Sequence, residues 1–181
     1  MLWRFCGTAL AGLLLLAGPA LGAGVEHTVD WLPRVFPIHS TGEVEVHVST
    51  GRVHVVAGPE GRIVVSASLR TVGRDVESAK QTSRASRVVA TAEGDKVRVD
   101  CEDPPHGSTS FDVRVEVPPH AQVRVRAGHA AIEAAQLAGP LDLSAKSGSV
   151  QVTLAGPATV HAETHGGKID QDLGLQAVGR G

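Results

Sequence analysis

One spacing governs the last third of this 181-residue chain. Val123, Leu141 and Val160 lie 18 and then 19 residues apart, as do Val125, Leu143 and Ala162, and again Ile132, Val150 and Ile169. A unit of that length is too small to bury an apolar face alone, so its recurrence predicts stacked copies that share one interior. Within the copies Val123, Val125, Leu141, Leu143, Val160 and Ala162 are expected inward, with Arg124, Asp142 and His161 outward at equivalent places. Stacking would set Arg124 beside Asp142, Ser144 between Arg126 and Glu163, and Gln151 between Glu133 and Asp170, so that like charges are kept apart. The last copy carries Thr164 and Gln171 where earlier ones have Ala145 and Val152, which predicts a polar end that resists end-to-end pairing.

Upstream, Val44, Val46 and Val48 alternate with Glu43, Glu45 and His47, and Val53 and Val55 alternate with Arg52 and His54, the period of half-buried strands. Ser40-Thr41-Gly42-Glu43-Val44-Glu45-Val46 recurs nine residues later as Ser49-Thr50-Gly51-Arg52-Val53-His54-Val55, and its core returns as Gly148-Ser149-Val150-Gln151-Val152. Nine is half of 18, so one turn-plus-strand module is reused along the chain. The sequence has no Asn, which leaves Gly to supply the corners that need positive φ. Residues 75–84 lack β alternation and read as one short helix. Strands follow at 87–92 and 96–102 around the turn Glu93-Gly94-Asp95, then at 111–117, which Pro118-Pro119 stops; Asp103-Pro104-Pro105-His106-Gly107 reads as a loop.

The first 22 residues have the parts of a secretory signal: Arg4, an apolar run from Ala9 to Ala17, and Pro19 before small residues, with cleavage expected after Gly22 or Ala23. An uncleaved anchor would need roughly 20 unbroken apolar residues, and Gly7, Gly12, Gly18 and Pro19 interrupt this stretch. Export then leaves 16 basic against 19 acidic residues, a balance with no general pull toward nucleic acid. The eight Lys or Arg against four acids between Arg62 and Arg98 read as a solvated surface. Cys101 alone remains, so no internal disulfide can form, and it is expected to be buried on its strand. The expected architecture is all-β: a signal peptide over 1–22, then a single domain over 23–181. In that domain an N-terminal antiparallel sheet (36–117) with one short helix merges into a short stacked β-solenoid-like repeat (121–175).

Gly42-Glu43-Val44-Glu45-Val46, a helix followed by Glu93-Gly94-Asp95-Lys96-Val97-Arg98-Val99, then Val115-Glu116-Val117-Pro118 and Lys146-Ser147-Gly148-Ser149-Val150 together resemble the putative adhesin family of exported bacterial proteins, a domain of unassigned function. The resemblance covers most of the mature chain and implies surface attachment. It carries no catalytic residue across. The chain departs from the family pattern at Ala130, where the repeat motif has glycine, and its stack is short for the family.

Searches for chemistry return little. There is no Gly-x-Ser-x-Gly elbow, and Gly58-Pro59-Glu60-Gly61-Arg62 lacks the Lys-Ser/Thr ending of a phosphate loop, so no enzyme is expected and no catalytic or cofactor-binding residue is assigned. Nine histidines supply two candidate metal clusters: His161, Glu163 and His165, which alternate along one strand face, and His47 with His54, which would stand opposite each other if residues 49–52 formed a hairpin. Solvent-facing polar residues are the plainer reading of both, because neither shows a fourth ligand or an orienting partner. Trp31, Phe36 and Phe111 are the only aromatics after the leader, too few for a sugar-stacking platform; Phe111 is expected in the core, and Trp31 and Phe36 at the open end of the first sheet. The function expected is an exported, non-catalytic, adhesin-like surface whose partner is a protein or cell-envelope component. The second reading is a periplasmic metal-binding or sensing module.

Overall fold

The computed structural model describes residues 24–104 and 108–172; the expected signal peptide, part of the 103–107 loop and the end of the repeat region lie outside the described residues. The elements run β1 (Val25–Pro37), β2 (Glu43–Ala57), β3 (Arg62–Gly73), α1 (Val76–Ala85), β4 (Arg87–Glu93), β5 (Lys96–Glu102), β6 (Thr109–Val117), β7 (Gln122–Leu137), β8 (Leu141–Ser147), β9 (Val150–Leu154), β10 (Val160–Thr164) and β11 (Ile169–Asp172). Among the described residues the protein is mostly β with one short helix, and its sheet is open, with β1, β4, β10 and β11 each paired on one side only.

The buried apolar residues of β2 are Val44, Val46 and Val48, then Val53 and Val55. The step from 48 to 53 is odd, so a straight two-residue period could not bury both sets. The strand turns a corner instead, at Gly51, whose φ of 131° suits glycine and whose missing side chain lets the Phe111 backbone lie against it. The same change of phase falls between Ala127 and Ala130 in β7, and between Ala145 and Val150 across Gly148 (φ 122°).

These corners divide the sheet into two walls around one apolar cluster. Wall A runs β4-β5-β2-β7-β8-β10, using the first halves of β2 and β7; wall B runs β1-β3-β6-β2-β7-β9-β11, using their second halves.

The repeat columns lie in register as their spacing requires. Val123 pairs with Leu141 and Leu141 with Val160; Val125 pairs with Leu143 and Leu143 with Ala162; Ile132 pairs with Val150 and Val150 with Ile169, every pair parallel. The turns follow the same order, with the Val123 amide donating to the Pro140 carbonyl and the Leu141 amide to the Thr159 carbonyl, both at 2.9 Å.

The N-terminal region departs from expectation. Its antiparallel pairs are β1–β3, β3–β6 and β4–β5, whereas β2 is parallel to β5, β6 and β7. No hairpin forms at 49–52, because β2 continues through its corner and finds partners distant in sequence on both sides. Strand β2 therefore lies between the β5–β6 level and β7, so that segments from both halves of the chain alternate in the stack. Ala130 takes the column of Gly51 and Gly148 without a left-handed φ. Gly128, two residues earlier, makes the close approach in β7, its bare α-carbon facing the Ser49 carbonyl.

The helix begins where Asp75 caps it. The Asp75 carboxylate accepts from the Ser78 amide at 2.7 Å, while the Ser78 hydroxyl accepts from the Asp75 amide. Its buried face, Ala79 and Ser83, rests on β1 and β3, where the Thr71 hydroxyl donates to the Ala79 carbonyl at 3.0 Å.

Candidate interaction surface

Parallel in-register strands turn sequence offsets into rows of side chains. On the outer face of wall A one row reads Arg98, Glu45, Arg124, Asp142, His161, and the next reads Asp100, His47, Arg126, Ser144, Glu163. The first row alternates in sign up to its histidine, which is the arrangement that stabilises neighbouring strands. Arg124 Nε lies 3.2 Å from Asp142, as its place in the repeat predicts, and Arg124 Nη1 lies 3.5 Å from Glu43. Ser144 separates Arg126 from Glu163, and on wall B Gln151 separates Glu133 from Asp170.

The centre of wall A holds a denser group that sequence reading missed. Lys96 Nζ bridges Glu43 at 3.2 Å and Glu45 at 2.9 Å. Glu45 is 7% exposed, and the hydrogen bond from Lys96 holds its carboxyl below the ordinary carboxylate range against the opposing effect of burial. His47 reaches Glu45 through Nε2 and Asp100 through Nδ1, each at 3.1 Å, and Arg98 joins Asp100 at 2.9 Å. The signal was present in the chain: Glu43-Val44-Glu45-Val46 and Lys96-Val97-Arg98-Val99 carry opposite charges at matching offsets, and those offsets are the register that β2 and β5 adopt.

The candidate metal residues take the following places. His47 and His54 lie on different walls, His47 in the group above and His54 with Nδ1 at 2.9 Å from Glu133; the continuous course of β2 rules out the facing pair. His161, Glu163 and His165 do share the exposed face of the last level, with His165 Nε2 at 3.6 Å from Glu163. Among the described residues, no group of three or more His, Cys, Asp or Glu is arranged to hold a metal ion.

Cys101 is buried in β5, and burial, with Asp100 and Asp103 nearby, pushes its thiol up to about 12. Asp103 beneath the same corner accepts from the Ser49 hydroxyl at 2.9 Å, and burial holds its carboxyl above the usual range. Phe111 is wholly buried, whereas Trp31 is half-buried on the edge strand with the Arg34 guanidinium 5.1 Å above its ring. Among the described residues no helix is long and apolar enough to cross a membrane.

No family model and no curated protein matches this chain. Among solved structures, a putative cell adhesion protein from Clostridium sporogenes is similar at 6% identity, with 77% of this chain and 98% of that chain covered and a TM-score of 0.45. A putative adhesin from Parabacteroides distasonis is similar at 8% identity, covering 83% and 98%, with a TM-score of 0.30. A putative lipid binding protein from the same species is similar at 7% identity, covering 84% and 98%, with a TM-score of 0.29. At such identities these proteins assign no residue of this chain a role.

Proposed function

We propose that this is an exported, non-catalytic, adhesin-like protein: one domain, built as a short β-solenoid behind an antiparallel cap, that contacts a protein or envelope component through the outer face of wall A. The observation that carries this reading is the register itself. Five parallel levels place charged side chains on a lattice of about 4.8 Å between strands and about 7 Å along them, a regular outer face of the kind that stacked repeats use for binding. The apolar leader and the absence of a recognised catalytic motif in the sequence support the same reading.

The test is co-sedimentation of the mature protein with isolated cell envelopes, alongside Arg124→Glu/Arg126→Glu. Wild-type protein should sediment and the double variant should not, with identical circular dichroism spectra for the two. Equal recovery of both, or none of either, would end the proposal.

A further inference from the structure

The outer face of wall B carries a groove of about 470 Å3 beside the corner, and its lining differs from the ion-paired rows of wall A. Two arginines border it, Arg70 on β3 and Arg52 on β2, with β6 between them. Arg52 shares a row with Asp112 and Ser68, and Arg70 lies two residues along β3 from Ser68, so two strand spacings and one two-residue step put the arginine α-carbons roughly 12 Å apart. The floor is made of short side chains: Ser68, Ser110 and Ala131, together with Gly51. That floor cannot be filled from Gly51, because a side chain there would run into the backbone of Phe111.

The two arginines at the groove are weakly held. Arg52 stands opposite Asp112 in register, yet Arg52 makes no ion pair among the described residues, and the Asp112 carboxylate lies 3.9 Å from His54 instead. Arg70 has only a loose contact, 3.7 Å from Glu26, with both side chains more than half exposed. Such a solvated pair is worth little and yields readily to a better oxyanion.

We infer that this groove binds an acidic polysaccharide, taking a carboxylate or phosphate of the chain between Arg52 and Arg70. Guanidinium groups match planar oxyanions in bidentate fashion. The hydroxyls of Ser68 and Ser110 and the carboxylate of Asp112 supply acceptors and donors for the sugar hydroxyls around that charge. The volume falls within the range of about 300–1,000 Å3 typical of ligand sites. Phe111 is sealed beneath the floor, so no aromatic face stacks on a ring, and recognition rests on charge and hydroxyl contacts. Binding of that kind weakens with salt. The inference rests on the reading of an exported envelope-contact protein and names the ligand class for a second face of it.

The experiment is calorimetric titration of the purified protein with trigalacturonate, glycerol 3-phosphate and neutral maltotriose, at low salt and at high salt. At least one acidic probe should bind at low salt, at least tenfold more weakly to Arg52→Gln and to Arg70→Gln, and within twofold of wild type to Arg62→Gln, an exposed arginine at the other end of β3 and outside both the groove and the wall A rows. Which acidic probe binds separates a uronate source from a phosphate source. The inference fails if neither acidic probe binds, if maltotriose binds as well as they do, if binding is indifferent to salt, or if the Arg62 variant loses as much as the Arg52 variant. Should the acidic probes fail while wild-type protein still sediments with envelopes, the groove alone is refuted and the wall A reading stands.

Discussion

The level formed by β2 and the level formed by β10 and β11 stack in one register, yet they live in different surroundings. Val44, Val46, Val53 and Val55 are wholly buried, with a paired strand on either side. In the last level Val160 and Ala162 are half-buried and Ile169 is 39% exposed, because among the described residues β10 and β11 each pair with a strand on one side only. The opposite end of the stack is closed differently: β4 covers β5, while β3 and β1 extend wall B beneath the helix. A module in such a stack is therefore stabilised by its neighbours more than by its own composition, and the cost of a lesion should depend on where it falls.

The sharpest way to break that comparison is a charge in each level. Val46→Asp should abolish cooperative folding, since an unpaired carboxylate in that interior has no compensation. Val160→Asp, half-buried at the edge of the core, should cost less, about 1–2 kcal/mol; equal losses in chemical denaturation would show the ends to be as tightly held as the middle.

Glycines give the next contrast. Gly148→Ala forces a side chain into a φ of 122° and into the Ala130 carbonyl, and should cost about 3 kcal/mol or more. Gly61→Ala, at φ 77° with open space around it, should cost about 1 kcal/mol. A thermal melt on each variant measures both.

The ion pairs should differ in acid. The Glu45 pKa is depressed in the folded state, so its contribution is present above the unfolded value, near 4.5, and is lost as the pH falls through the lower folded value. Lys96→Met should flatten that acid limb of melting temperature against pH. Lys168→Met, at the open end, where the pair with Asp170 spans 3.5 Å between mostly exposed groups, should leave the profile unchanged.

The smallest change in stability belongs to Thr164→Val/Gln171→Val, which should barely shift the melt. That variant should show concentration-dependent association by sedimentation, because it removes polarity from an exposed strand edge.

Local features were legible where one stretch of chain determines them. The helix was readable because residues 75–84 break the β alternation, and the structure adds the reciprocal cap of Asp75 and Ser78 that starts it; the turn at Glu93-Gly94-Asp95 was readable because both its strands are adjacent in sequence. The tail registers were readable because the partners recur at a constant interval. The course of β2 was not: a hairpin at 49–52 and a corner at Gly51 bury the same five valines, so the alternation fits both, and only the partners of the second half decide. Those partners, β6 and β7, lie about 60 to 80 residues away, and parallel pairing across such separations leaves no local trace. The surface groups were missed for the same reason: the matching offsets of Glu43 and Glu45 with Lys96 and Arg98 mark a pairing only once that long-range register is known, and Arg52 comes to border a groove with Arg70 through it.

The order of strands in wall B has a mechanical consequence. A load applied between β1 and β11 pulls across the strands, along their hydrogen bonds, so the rungs open one after another as in a zipper and are not sheared together. The first rung to part at the β11 end is the pairing of β11 with β9, four residues long, ahead of the longer pairings of β7 with β2 in the interior.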